Sequence, residues 1–227
     1  MRKTLAPTAG ALVVAAALLS SGCIVRETSH TLCLEPDGWV TWTVIDRNIH
    51  AEADTPEQRL TEETTFMDSV AAQSHSAAVA FRALGGSQLV TQVVSYDWPF
   101  AVLTQARFEN VAELWQQYFD GVGMAATSRL TSDGDRTTWT IVVDTAQEND
   151  PDDPEVADSL ESLLENEPTI TLFMRHGEFV AATGFEIEDD GRVAVLEDLD
   201  EKADGKSTLV LSLTWTGRES WKTPAVR

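Results

Sequence analysis

The sequence predicts an α+β protein: an antiparallel sheet built from hairpins, with a long helix and two shorter helices packed on it and a β-rich C-terminal part. Paired β-rich runs flank short turns containing Pro, Asp or Gly, which is hairpin chemistry. Stretches with helical spacing and capping residues lie between those runs. After residue 168 the helical spacing stops and β-rich segments follow one another to residue 217.

Before any of these elements come Arg2 and Lys3, an apolar run from Ala9 to Leu19, and then Ser20, Ser21, Gly22 and Cys23. A spanning helix needs about 20 apolar residues, so this run is too short to cross a bilayer. Its order of charged, apolar and small residues is that of a secretory leader, residues 1–22. The segment "LLSSGC" resembles the lipobox of bacterial lipoproteins, with Ser20 standing where leucine is commoner. The resemblance implies that Cys23 is acylated and becomes the new N-terminus. It also implies an exported protein of the cell envelope, held on a membrane by lipid. Ile24 after the cysteine favours the outer membrane by the same resemblance. Each buried methylene adds about 0.8 kcal/mol, so several acyl chains hold durably.

Losing Arg2 and Lys3 with the leader takes the net charge from −21 to −23. Such a surface repels nucleic acid, which is excluded as a partner. With Cys23 acylated, Cys33 is the one thiol left and no intrachain disulfide can form. Within "HTLCLE" it is expected to be a small buried apolar residue.

Residues 23–28 are expected as a short tether and 29–217 as the folded domain, followed by a tail, 218–227. In "HTLCLEPDGWVTWTVID" two β-rich runs meet at Pro36, Asp37 and Gly38, predicting a hairpin. "TPEQ" at Thr55 is a capping box with Pro at the first helical position, and Gly85 closes the segment. The stripe Leu60, Met67, Val70, Ala71, Ala77, Ala78, Phe81 and Leu84 predicts one helix, unless it breaks near Ser74 to Ser76. "SQLVTQVVSYDWPFAVLTQARF" predicts two strands about the corner Asp97, Trp98, Pro99. Asn110 then caps a short helix bearing Leu114, Trp115, Tyr118 and Phe119. "AATSRLTSDGDRTTWTIVV" predicts a third hairpin, turning at Asp133 and Gly134. The order of hairpin then helix recurs without any residue-level repeat.

From Asp144 to Glu167 the chain is acidic with no basic residue, and Pro154 starts a helix carrying Val156, Leu160, Leu163 and Leu164. The segments "TITLFM", "EFVAATGFEI", "RVAVLE" and "STLVLSLTW" follow. In the last, Leu209, Leu211, Leu213 and Trp215 share one face. Residues 168–217 are either a small separate sandwich or the continuation of a single sheet. The stretch "FMRHGEFVAATGFEIEDDGRVAVLED" resembles the C-terminal β segment of LppM-like bacterial lipoproteins, where a turn at glycine, an apolar strand and a "DG-x-V" hairpin recur. His176 and Thr183 depart from the residues usual there. The resemblance implies an α+β fold and an envelope location, and carries over no catalytic residue.

No nucleophile elbow, P-loop, HExxH or paired CxxC occurs, and His30, His50, His75 and His176 are far apart in sequence. Triads assemble from distant residues, so a hydrolase with an unrecognised site stands as the alternative. In "DLDEKADG", Lys202 and Ala203 occupy positions where a calcium loop needs a ligand and a glycine, so no metal and no cofactor is expected. The seven tryptophans are the most unusual feature. Trp42, Trp139 and Trp215 lie on predicted strands facing the long helix, as core residues or as the wall of an apolar pocket. The function expected is therefore that of a non-enzymatic, membrane-anchored lipoprotein that binds an apolar ligand or an envelope protein.

Overall fold

The computed structural model describes residues 23–148, 154–164, 169–197 and 207–217. The expected leader, the "DLDEKADG" loop, the tail and the "NDPDD" part of the acidic stretch lie outside these residues. In chain order the elements are β1 (Cys23–Leu34), β2 (Val40–Glu52), α1 (Pro56–Ala71), α2 (Ser76–Ala83), β3 (Ser87–Ser95), β4 (Phe100–Phe108), α3 (Val111–Gly121), β5 (Met124–Asp133) and β6 (Arg136–Glu148). Then follow α4 (Pro154–Leu164), β7 (Thr169–Met174), β8 (Gly177–Thr183), β9 (Glu186–Glu188), β10 (Val193–Glu197) and β11 (Thr208–Gly217). The α+β class is as the sequence predicts, with each expected hairpin formed.

The strands divide between two sheets, ordered β3-β4-β2-β1-β7-β10-β9 and β5-β6-β11-β8. Pairing is antiparallel throughout the described ladders except between β1 and β7, where Thr31 to Leu34 run parallel to Thr171 to Met174. The C-terminal segments are therefore not a subdomain. β7, β9 and β10 extend the first sheet, while β8 and β11 build the second. "EFVAATGFEI", expected as one strand, is cut at Gly184, whose φ of 79° is left-handed. Thr183 before the cut pairs with Ser212 of β11. Glu186 after it pairs with Val195 of β10, so the chain changes sheets within three residues. Glycine takes that φ without the clash a Cβ would cause.

The expected single helix is two helices, because Gln73 takes a φ of 54° and His75 restarts the helix as its N-cap. The capping box at Thr55 is present in full. The break re-aims the chain between two clusters. Val70 packs with Ile49 and Val102, whereas Ala77, Ala80 and Phe81 pack in the main core. Leu60 and Ala71, which their spacing places on the buried stripe, are exposed. The expected tether also proves to be strand. Cys23 pairs with Glu52 and Ile24 with Ala51, so β1 begins at Cys23 rather than near Ser29.

The main core lies between the two sheets. Leu32, Trp42 and Leu172 from the first sheet and Trp139, Ile141 and Leu213 from the second point inward, with α2, α3 and α4 contributing Phe81, Leu114 and Leu160. Period-two burial along β2, β4 and β11 is the pattern of strands with one face on a core.

Candidate functional site

Trp42 and Trp139 come together through a third tryptophan. The Trp115 ring of α3 stacks 5.8 Å from Trp42 and 6.0 Å from Trp139, at interplanar angles of 28° and 26°. One ring column thus joins the two sheets through a helix. Offset stacks of this kind add roughly 0.5 to 1.5 kcal/mol per pair beyond burial. Phe81 and Phe108 close on Trp42, and Phe185 on Trp139. Trp215 stands outside the column, its indole N–H donating to the Pro36 carbonyl at 3.0 Å. Trp42, Trp139 and Trp215 are all buried. Trp115 completes the column unheralded, because helical spacing marked it only as part of an amphipathic stripe.

Beside the column is a space of about 10 Å³, lined by Trp115, Trp139, Phe185, Ile170, Leu196 and Leu211 among others. That is room for one water at most. Small-molecule sites usually offer roughly 300 to 1,000 Å³. The indole N–H of Trp115 is buried and has no hydrogen-bond partner, whereas that of Trp139 donates to Ser128 Oγ at 3.0 Å.

Next to the column the inner face of the first sheet turns polar. His30, Val44 and Thr104 form one cross-strand row, and Thr28, Asp46 and Val102 the next. Trp42 Nε1–H donates to His30 Nδ1 at 3.0 Å. Asp46 is buried, accepts from Thr28 Oγ1 at 2.7 Å and lies 3.5 Å from Arg26 Nε. Arg26 also donates to Ser76 Oγ at 3.3 Å. From the helix break His75 Nε2 meets Thr104 Oγ1 at 2.8 Å. Burial, helped by the Arg26 charge, holds His30 down at about 4. Burial likewise lowers His75. A hydroxyl beside a histidine has the spacing of a nucleophile and its base. Thr104 is wholly buried, however. No substrate reaches that oxygen in this conformation, and the cluster serves to seat α2 on the sheet.

Cys33 is half-buried rather than buried, with burial pushing its thiol up. Its side chain alternates with Leu32 and Leu34, which take the core face, so the strand period turns it outward. Among the described residues no group of three or more His, Cys, Asp or Glu is arranged to hold a metal ion, and no helix is long and apolar enough to cross a membrane.

The end of the first sheet where β1 starts has its own construction. β1 begins there, β2 ends, β3 ends and β4 begins, and Ile49 of β2 pairs with Phe100 of β4. The β3–β4 turn therefore lies toward the same end of the sheet as Cys23, with β2 between β4 and β1. One oxygen of Glu63 accepts from the Ala51 amide at 3.2 Å and from Trp98 Nε1 at 3.1 Å. His50 meets the Trp98 ring edge-on at 6.1 Å.

These features define an α+β domain of two facing sheets with helices interleaved between them. No family model matches the chain, and no curated protein is similar to it. Among solved structures the chain is similar to the folded domain of the Mycobacterium tuberculosis LppM protein, at 15% identity over 88% of this chain and 94% of that one, with a TM-score of 0.36. It is also similar to the zebrafish (Danio rerio) Fcho1 Mu homology domain with bound Eps15 peptide, at 6% identity over 84% of this chain and 79% of that one, with a TM-score of 0.21. Neither likeness assigns a role to this chain.

Proposed function

We propose that this chain is a bacterial envelope lipoprotein, exported and held to a membrane by lipid on Cys23, whose folded domain works by binding rather than by turnover. The observation that carries the proposal is the order of Arg2 and Lys3, the apolar run Ala9 to Leu19 and the small residues of "LLSSGC" that end on Cys23. Cleavage before Cys23 keeps every described strand, and Cys23 itself pairs with Glu52 of β2. Cys23→Ala is expected to move the protein out of the membrane fraction, while wild type incorporates labelled fatty acid. Unlabelled wild type overturns the proposal.

Of the two occupants, an apolar ligand or a protein, the protein partner is better supported. A space of about 10 Å³ beside the tryptophan column is far too small for a lipid chain. Titration with a fluorescent fatty-acid probe separates the two. Saturable binding to wild type that Trp139→Ala weakens would replace the protein partner with a ligand. The strong negative charge rules against nucleic acid as the partner.

A further inference from the structure

Beyond the lipid itself, we propose that the tip formed by Leu60, Tyr96 and Trp98 is a membrane-contact surface that seats the domain on the bilayer at headgroup depth; this rests on the acylation of Cys23 proposed above. Three observations carry it. Tyr96, Leu60 and Trp98 are the most exposed large hydrophobic residues described, at 77%, 68% and 59%, and all three stand at the end of the first sheet where β1 begins. Leu60 is one helical turn nearer the start of α1 than Glu63, and Glu63 is itself bonded to Ala51 beside that end. Trp98 is held in place through Glu63 and His50 rather than dangling from its turn.

The second observation is the missing spacer. Cys23 is already paired in the sheet, so acyl chains on it leave no length of free chain between bilayer and domain. An anchor without a tether presses this end of the sheet against the lipid. The third is chemistry. Tyrosine and tryptophan favour the membrane–water boundary, where the ring is buried and its polar edge stays wet. Exposed Glu52, Asp54, Glu57 and Asp97, close in sequence to the tip, outnumber the exposed cation Arg59 beside Leu60. Their charge opposes entry into hydrocarbon and opposes an anionic surface, so the occupant is a zwitterionic lipid surface.

The test uses full-length lipidated protein in phosphatidylcholine vesicles carrying bromine either near the ester or near the end of the acyl chain. Bromine quenches tryptophan on contact. Wild type should be quenched more by the shallow bromine than by the deep one, and Trp98→Phe should lose most of that quenching with fatty acid still on Cys23. Trp42, Trp115, Trp139 and Trp215 are buried, Trp39 lies at the opposite end of β2, and Trp221, outside the described residues, is replaced by Phe in every sample, the one called wild type included. Leu60→Ser combined with Tyr96→Ser, at exposed positions, should reduce the quenching of the Trp98 that remains. Equal quenching of wild type and Trp98→Phe, with the fatty acid present, overturns the seat and leaves the anchor standing. Absence of fatty acid from Cys23 overturns the anchor and the seat with it.

Discussion

The indole N–H of Trp42 donates to Nδ1 of His30 across 3.0 Å of buried space between neighbouring strands. This bond requires Nδ1 to be an acceptor, so the imidazole is neutral with its proton on Nε2. Burial, with the Arg26 charge adding to it, disfavours the protonated ring, which is why its pKa falls to about 4.

Stability should therefore depend on pH with a definite sign. His30 binds protons more readily in the unfolded chain, at 6.5, than in the folded one, at about 4. Its contribution is whole above 6.5 and is lost as pH falls from 6.5 toward 4. The full difference is on the order of 3 kcal/mol. Burial lowers His75 too, with Asp46 opposing and Arg26 assisting, and adds loss of the same sign. Urea midpoints measured across this range should fall with acidification, and His30→Gln should flatten the fall in part. A midpoint unchanged from neutral pH to 4 would contradict the neutral, buried imidazole.

The tryptophan column should show unequal costs for similar cuts. Trp139→Ala removes the end of the column and is expected to cost about 3 to 5 kcal/mol. Trp115→Phe gives up ring area but no hydrogen bond, because its N–H has no partner, and should cost only about 1 kcal/mol. Trp42→Phe leaves His30 Nδ1 without its donor, and an unsatisfied buried acceptor adds roughly 1 to 3 kcal/mol. Denaturant unfolding of the three variants checks the order. Trp115→Phe proving the costliest of them would show that its indole has a partner in solution.

Gly184→Ala should weaken the exchange of the chain between sheets. The residue has a φ of 79°, and an added Cβ would lie 2.3 Å from Leu211 Cδ2, itself a core atom. Left-handed strain and the displaced leucine together are expected to cost about 2 kcal/mol. A thermal midpoint equal to wild type would mean the sheet change tolerates an ordinary residue.

Cys33 should react slowly. Burial raises its thiol, with Glu35 adding to the rise and Arg175 opposing it. Iodoacetamide near pH 8 should modify it well below the rate of free cysteine, because the thiolate is the nucleophile. Modification at the free-cysteine rate would place the side chain in open solvent.

Much of the architecture is written locally and was legible for that reason. Asp133 with Gly134, the capping box at Thr55 and the Asn110 cap act over three or four residues, and each stands where its chemistry puts it. The charged, apolar and small order before Cys23 is equally local, and the expected address is read from it alone. What the sequence left open depends on contacts between distant residues. Whether "EFVAATGFEI" stays in one sheet is decided by competing partners, Ser212 on one side of Gly184 and Val195 on the other. That Trp42 and Trp139 meet through Trp115, which enters between them from a helix, is likewise a matter of distant contacts. Period-two spacing predicts which face is buried and is silent on what covers it. The same limit hid the tip: Leu60, Tyr96 and Trp98 join Cys23 at one end only because the β1–β2 hairpin opens there, the β3–β4 hairpin turns there and α1 starts there.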